Sequence, residues 1–213
     1  MKIKFKKYWR KTSLKKKEDA YFLLNHISKF KPKNFLEIGI FHGVTARNVC
    51  ELLYLIHKEN FSFTGIDIFF SEDEVLRDEI IPKNTFSNPI KRFYHKYINK
   101  LNPYSLESVL KLLKKFEKNI EIIKGDSNEV LKKINLNEVD YVFLDGGHKY
   151  QTVKNDLEIL KKVIINNGVI LCDDYNLSYA PGVKKAIDEY ILTTQFNLKI
   201  LNTRFAQITK FKL

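Results

Sequence analysis

Acids and glycines fall together at intervals along this 213-residue chain. The first group is Glu37-Ile38-Gly39-Ile40-Phe41-His42-Gly43, directly after a short apolar run. Gly39 suits a sharp turn beside a ligand, and Gly43 suits the opening of a helix whose free N–H groups receive a carboxylate. The spacing is ExGxxxG and not GxGxxG. In the dinucleotide fingerprint the second glycine lets a pyrophosphate approach the backbone; Phe41 stands in that place, which disfavours a nicotinamide cofactor. Asp67, after Gly65-Ile66, is placed to accept hydrogen bonds from two ribose hydroxyls, and Gly125-Asp126-Ser127 suits the edge of an adenine. Together these groups describe a site for a nucleoside-containing ligand.

Taken in order, Glu37-x-Gly39-x-x-x-Gly43, Gly65-Ile66-Asp67, Gly125-Asp126-Ser127 and Asp145 resemble the motifs of class I S-adenosylmethionine-dependent methyltransferases over about residues 34–190. A narrower likeness lies in Phe143-Leu144-Asp145-Gly146-Gly147-His148-Lys149-Tyr150 with Gly168-Val169-Ile170-Leu171-Cys172-Asp173-Asp174-Tyr175. This pair resembles the small-molecule and sugar O-methyltransferase branch, including macrolide-sugar enzymes, and more distantly the catechol-type enzymes. The resemblance implies an α/β, Rossmann-like, doubly wound and mostly parallel seven-stranded sheet with a C-terminal antiparallel hairpin. It also implies S-adenosylmethionine as donor, held by Glu37, Gly39, Gly43, Asp67, Asp126 and Ser127, and a sugar, glycoside or similar small hydroxylated acceptor.

A divalent cation such as Mg²⁺ is implied in the same way, on Asp145, Asp173 and Asp174. Neighbouring strands lie about 4.8 Å apart, so acids at their ends can converge on one hard ion. Asp174 departs from the Asn of catechol-type enzymes. By the same likeness His148, three residues beyond Asp145 in a glycine-flexed turn, is the expected proton acceptor and Asp145 its catalytic companion; a near-neutral imidazole suits that task. The plainer alternatives are that these acids cap helices and that His148 is only solvated.

The elements that must position these residues read as alternating strands and helices. A leading helix covers about 18–30, with Ala20, Leu23, Leu24 and Ile27 at helical spacing and Pro32 as a stop. Strands are expected at 34–38, 61–68, 120–123, 139–144 and 168–172, each followed by one of the polar groups above. Ala46, Val49, Leu53 and Ile56 mark one helix between them, and Val153, Leu157, Leu160 and Ile164 another. Such alternation implies a parallel sheet covered on both faces, with ligands at the carboxyl ends of its strands. Residues 198–201 and 205–209 read as a closing hairpin. The long segment 69–119 is an insertion of lid or substrate-wall type, returning through a helix marked by Val109, Leu110, Leu113 and Phe116.

The length fits one domain at 18–213, preceded by a basic arm at 1–17. Nine Lys and Arg and no acid lie in the arm; of the net charge of +12, removing those nine leaves +3 for the rest. The arm reads as a solvated or frayed terminus, or as a contact for phosphates or an anionic surface. Cys50 and Cys172 are too few for a disulfide framework, and no apolar stretch is long enough to span a membrane, so a reducing cytoplasm is expected. Two competing functions are methylation of RNA or other nucleic acid, suggested by the arm and by Lys91 to Tyr97, and a non-catalytic S-adenosylmethionine-binding module. Against the first, Asp145-Gly146-Gly147-His148 stands where amino-methylating relatives carry an Asn/Asp-Pro-Pro-aromatic tetrad.

Overall fold

A computed structural model describes residues 4–69, 86–136 and 138–210. Seven strands form one sheet in the order β3-β2-β1-β4-β5-β7-β6. They are β1 (Asn34–Ile38), β2 (Ser62–Asp67), β3 (Ile120–Lys124), β4 (Val139–Leu144), β5 (Ile164–Cys172), β6 (Phe196–Leu201) and β7 (Phe205–Lys210). The first five are mutually parallel, and β7 runs antiparallel to both β5 and β6. This is the expected doubly wound sheet with its closing hairpin.

Alternation along the central strands sends side chains to two separate cores. Phe35, Tyr141 and Phe143 face one core with Phe63, Val49, Leu52 and Phe205, under α1 (Lys17–Phe30), α2 (Val44–His57) and α4 (Leu106–Leu113). Leu36, Ile38, Val142 and Leu144 face the other, under α5 (Ser127–Lys133), α6 (Tyr150–Val163) and α7 (Pro181–Leu192). Register sets Phe35 opposite both Phe63 and Tyr141, and the three rings stack across the strands at 5.6 and 5.1 Å. The buried phenol of Tyr141 is satisfied by His26 Nδ1 at 2.7 Å, and His26 Nε2 meets Gln207 Oε1 at 2.9 Å.

Helix starts follow local chemistry. Asp126 caps α5 by accepting from the Asn128 N–H, Ser105 caps α4 through Ser108, and Pro181 opens α7, where the missing N–H costs nothing. α5 is only seven residues long, whereas α7 carries Val183, Ala186, Ile187 and Tyr190 at helical spacing and buries them. The insertion contains α3 (Pro89–Phe93), which continues as a π-helical turn over Tyr94–Asn99. Residues 70–85 of the expected insertion, and residues 1–3 of the arm, lie outside the described residues.

The reading of the arm as a solvated or frayed terminus is corrected. Arg10 is 7% exposed and Leu14 is fully buried. The Arg10 guanidinium donates to the carbonyls of His42 (3.1 Å), Pro103 (3.4 Å) and Ser108 (2.8 Å), and to Ser108 Oγ (2.9 Å). Lys6 and Asn48 exchange a reciprocal pair, each at 2.8 Å. Lysines dominate the arm's composition, but its inward positions are Phe5, Arg10, Thr12 and Leu14, which composition alone does not separate from the outward ones. Arg10→Met should therefore lower unfolding stability by about 2 kcal/mol, the scale of hydrogen bonds to a charged group, measured by urea denaturation; a change within error would return the arm to the periphery.

Candidate active site

The polar groups expected at strand ends meet along one edge of the sheet. Ladder hydrogen bonds run one residue past the strands and hold the turns in place. Gly39 N–H donates to Ile66 O, Asp145 N–H to Ile38 O, Gly125 N–H to Asp67 O and Asp173 N–H to Leu144 O, all at 2.8–2.9 Å. Gly39 has φ +94°, and a Cβ added there would lie 2.0 Å from the Asp145 carbonyl oxygen. No other residue fits both the left-handed backbone and that approach. Gly43, at φ +73°, stands immediately before α2.

On the β1–β3 side, Asp67 organises the turn. Its carboxylate accepts the N–H groups of Phe41 (2.7 Å) and Phe69 (3.1 Å) and the phenol of Tyr104 (2.8 Å). Burial raises the Asp67 pKa above the usual range, while the Phe41, Phe69 and Ile40 backbone donors and the Tyr104 phenol oppose the shift. Glu37 is fully buried, and neither of its oxygens has a hydrogen-bond partner among the described residues. Burial first, and then Asp67, push its pKa well up. An acid held beneath the ligand turn with both oxygens unmatched fits a site that receives a hydrogen-bond donor from a ligand.

Asp126 and Ser127 reach the same edge, but their side chains are turned to internal tasks. Asp126 caps α5, and the Ser127 hydroxyl donates to Asp156 Oδ2 at 3.0 Å. Asp156 also accepts from Asn128 Nδ2 at 2.7 Å and is fully buried, with no cationic side chain paired to it among the described residues.

On the β4–β5 side, Asp145, Asp173 and Asp174 each offer an oxygen, and these atoms lie within 4.8 Å of one another. Oxygens sharing one divalent ion at 2.0–2.6 Å stand at most about 4–5 Å apart, so the spacing fits such an ion. With His148 they line a cleft of about 10 Å³, room for an ion or a water and not for an acceptor. The cluster holds three carboxylates against the single guanidinium of Arg204, which leaves it two charges short of neutrality when all are ionised. Arg204 grips Asp173 through Nε (2.5 Å) and Nη2 (2.6 Å), and reaches Asp174 at 3.2 Å.

The three acids respond differently to this setting. Burial and the neighbouring Asp173 and Asp174 push Asp145 well above the ordinary carboxyl range, although Ser13 Oγ donates to its Oδ2 at 2.6 Å. Burial raises Asp173 to about 6 against the pull of Arg204. For Asp174 burial is outweighed by His148, Arg204 and Tyr179, which together hold it below the usual value. His148 Nε2 lies 3.0 Å from Asp174 Oδ2, and Tyr179 donates to Oδ1 at 2.8 Å.

Thus every strand-end residue expected from sequence stands on this edge. Four residues there carry no motif. Arg204 arrives on the β6–β7 turn, fixed by Tyr175 N–H donating to its carbonyl at 2.9 Å; Ser13 comes from the arm, Tyr104 from the insertion and Tyr179 from the loop before α7. Only the polar turn between the hairpin strands hinted at one of them.

Comparison with known proteins places this geometry. Residues 36–175 match a family described as a methyltransferase domain. A methyltransferase of Podospora anserina, solved with S-adenosylhomocysteine, superposes with a TM-score of 0.65 at 15% identity, covering 92% of this chain and 80% of that one. The O-methyltransferase NovP gives 0.66 at 17% identity, covering 89% and 80%. A TDP-rhamnose 3'-O-methyltransferase of calicheamicin biosynthesis gives 0.61 at 15%, covering 90% and 79%. An uncharacterized protein of Acanthamoeba polyphaga mimivirus is 35% identical over 60 residues, 28% of this chain and 27% of that protein. Among the described residues no helix is long and apolar enough to cross a membrane.

The buried acid behind Ser127 gives a pH test of the turn after β3. Burial raises Asp156 to about 7, above the ordinary value near 3.9. The unfolded chain therefore ionises first as pH rises, and stability present below about pH 4 is lost progressively up to about pH 7. Unfolding measured across that window should show wild type losing stability relative to Asp156→Asn and running parallel to it above pH 7. Parallel curves throughout would mean that Asp156 titrates normally.

Proposed function

The chain belongs to the methyltransferase-domain family, and on that premise we propose that it transfers the methyl group of S-adenosylmethionine to a hydroxyl of a sugar or similar small acceptor, with a divalent cation held by Asp145, Asp173 and Asp174. The family gives methyl transfer; the donor, the acceptor oxygen and the cation are the proposal. The observation that carries it is the convergence of three carboxylates and one imidazole at the ends of β4 and β5, beside the Gly39 turn and Asp67. The O-methyltransferase and TDP-rhamnose enzymes among the structural neighbours support the same class of acceptor.

On the donor side, Asp67 supplies acceptor oxygens to ribose hydroxyls, the Gly39 turn admits the methionyl portion against bare backbone, and Glu37 offers a carboxyl to a donor group from below. The Ser127 hydroxyl donates to Asp156, while Asp126, exposed and capping α5 through Oδ1 alone, keeps an oxygen for the adenine edge alongside the backbone of that turn. In the transfer an acceptor oxygen lone pair attacks the sulfonium methyl carbon. The carbon–sulfur bond breaks with its electron pair going to sulfur, and the hydroxyl proton must leave. When bound, a divalent ion on the three acids supplies Lewis-acid stabilisation of the acceptor oxygen.

His148 takes the proton. Its Nε2–H donates to Asp174, a carboxylate held ionised, so the neutral ring carries its lone pair on Nδ1. Asp174 thereby fixes the tautomer and steadies the imidazolium that forms. Arg204 and Ser13 hold Asp173 and Asp145 in place.

Donor binding and methyl transfer are separable tests. Asp67→Ala should weaken S-adenosylhomocysteine affinity by about 1–3 kcal/mol in calorimetry, the cost of unpaired hydroxyls; unchanged affinity would remove Asp67 from the donor site. With a hydroxylated acceptor, a chelator should stop turnover while sparing S-adenosylhomocysteine binding, and His148→Ala should lower kcat by about 10²–10⁴-fold. Full turnover in chelator would discard the cation.

A further inference from the structure

The insertion contains a run of charge that the fold does not need. Residues 86–106 hold four Lys and Arg and no acid. Three of them, Arg92, Lys96 and Lys100, repeat every fourth position through α3 and the π-helical turn that continues it. Like charges at this spacing repel and destabilise a short helix. No acid pairs with any of the three among the described residues; Arg92 is held instead by the Phe86 carbonyl, at 3.3 Å from Nε and 3.1 Å from Nη2. A π-helical turn is itself rare in helices and recurs at functional sites.

These cations point into a common space. Arg92, Lys96 and Lys100, with Phe86, His95 and Pro103, line a cavity of about 580 Å³, within the ordinary size of small-molecule sites. His95 is 7% exposed and stacks on Phe86 at 4.7 Å, and neither ring nitrogen makes a hydrogen bond of ordinary geometry. Burial, Arg10 and Lys91 lower its pKa, against a contribution from the Trp9 backbone that raises it; its surroundings are already electropositive. The cavity wall leads to the donor site: the Pro103 carbonyl accepts from Arg10, which also holds the His42 carbonyl, and the next residue, Tyr104, donates to Asp67.

We propose that this cavity is the anion subsite of the acceptor, taking a phosphate or diphosphate group such as that of a nucleotide-linked sugar and leaving the sugar directed toward Asp145 and His148. The proposal rests on the methyl-transfer reading for the word acceptor, and on the cavity alone for the anion. Three cations in a row match a chain of phosphoryl oxygens by charge-assisted hydrogen bonds, and His95 adds a buried ring with nitrogens to offer. A single-stranded nucleic acid is the other polyanion to weigh. It is recognised by rings that stack on bases beside the cations, and here the exposed rings of Phe93 and Tyr97 stand outside the cavity lining.

Calorimetry on the full chain at low salt, with uridine diphosphate, pyrophosphate and inorganic phosphate as probes, reads this site without turnover. The diphosphates should bind more tightly than inorganic phosphate, weaken as salt rises, and lose about ten-fold in the triple variant Arg92→Gln/Lys96→Gln/Lys100→Gln. Uridine diphosphate binding above pyrophosphate would assign a nucleoside to the ligand; equal binding would assign a phosphorylated acceptor without one. S-adenosylhomocysteine affinity should stay within about two-fold in the same preparations, showing that the variant is folded, and Lys96→Gln alone carries the test at about three-fold. Diphosphate affinity unchanged in the variants, no diphosphate binding at millimolar concentration, or tighter binding of a single-stranded RNA oligomer that the variants abolish would each overturn the proposal. Loss of S-adenosylhomocysteine binding by the wild-type chain would instead remove the methyl-transfer reading, and the phosphate titrations would still decide the subsite.

Discussion

The site depends on the approach of Gly39 to the carbonyl of Asp145, close enough that an added Cβ would fall 2.0 Å from the oxygen. β1 is the strand from which the chain winds both ways, paired with β2 on one side and β4 on the other. The contact therefore joins the half of the sheet that carries Asp67 to the half that carries the acid cluster. Both turns are also pinned by ladder hydrogen bonds, so the spacing between the halves is set by backbone and not by rotamers. Methyl transfer between two bound molecules gains rate from holding them in line. A backbone-to-backbone contact is the stiffest available means of doing so.

Electrostatics supplies the asymmetry within the acid cluster. Three carboxylates this close cannot all stay ionised in a buried place without compensation. Arg204 answers for Asp173 directly, and His148, Arg204 and Tyr179 keep Asp174 charged. Burial, with Asp173 and Asp174 beside it, pushes the Asp145 pKa well up, against the Ser13 hydroxyl and the more distant field of Arg204. Asp145 is thus the least compensated of the three, Asp173 is tied to Arg204, and Asp174 is held beside the imidazole of His148. Environments that push like groups apart are how a site assigns different tasks to the same residue type.

What the sequence made legible was what lies local to a strand end. The apolar runs at 34–38 and 139–144 are buried on nearly all sides, and the polar residue after each run falls at the sheet edge, because a parallel sheet leaves no other place for it. Glu37, Gly39, Asp67, Asp145, Asp173 and Asp174 could be picked out on that ground. Partners brought by long-range packing left little trace. Ser13 lies 132 positions from Asp145 and Arg204 lies 31 from Asp173; Ser13 has no local pattern to announce it, and Arg204 has only the polar turn between the hairpin strands. The arm misled for a related reason: its lysines describe its outer face, while Arg10 is buried because carbonyls from two distant elements satisfy it. Asp126 and Ser127 stand at the expected turn, Asp126 capping α5 through Oδ1 and Ser127 donating to Asp156.

The arm and the insertion are bound into the donor site by two knots, and counting hydrogen bonds shows how they interact. Arg10 ties the donor turn at His42 to the insertion at Pro103 and Ser108. Tyr104, next to Pro103, ties the insertion to Asp67. Asp67 accepts from the Phe41 and Phe69 backbone and from the Tyr104 phenol, and the Ile40 backbone also bears on it, so most of the lone pairs a carboxylate offers are taken within the turn that Gly39 fixes. Tyr104 is the one of these donors that comes from the insertion. The turn after β1, the end of β2, the arm and the insertion are in this sense one polar network, joined through Arg10 and Asp67.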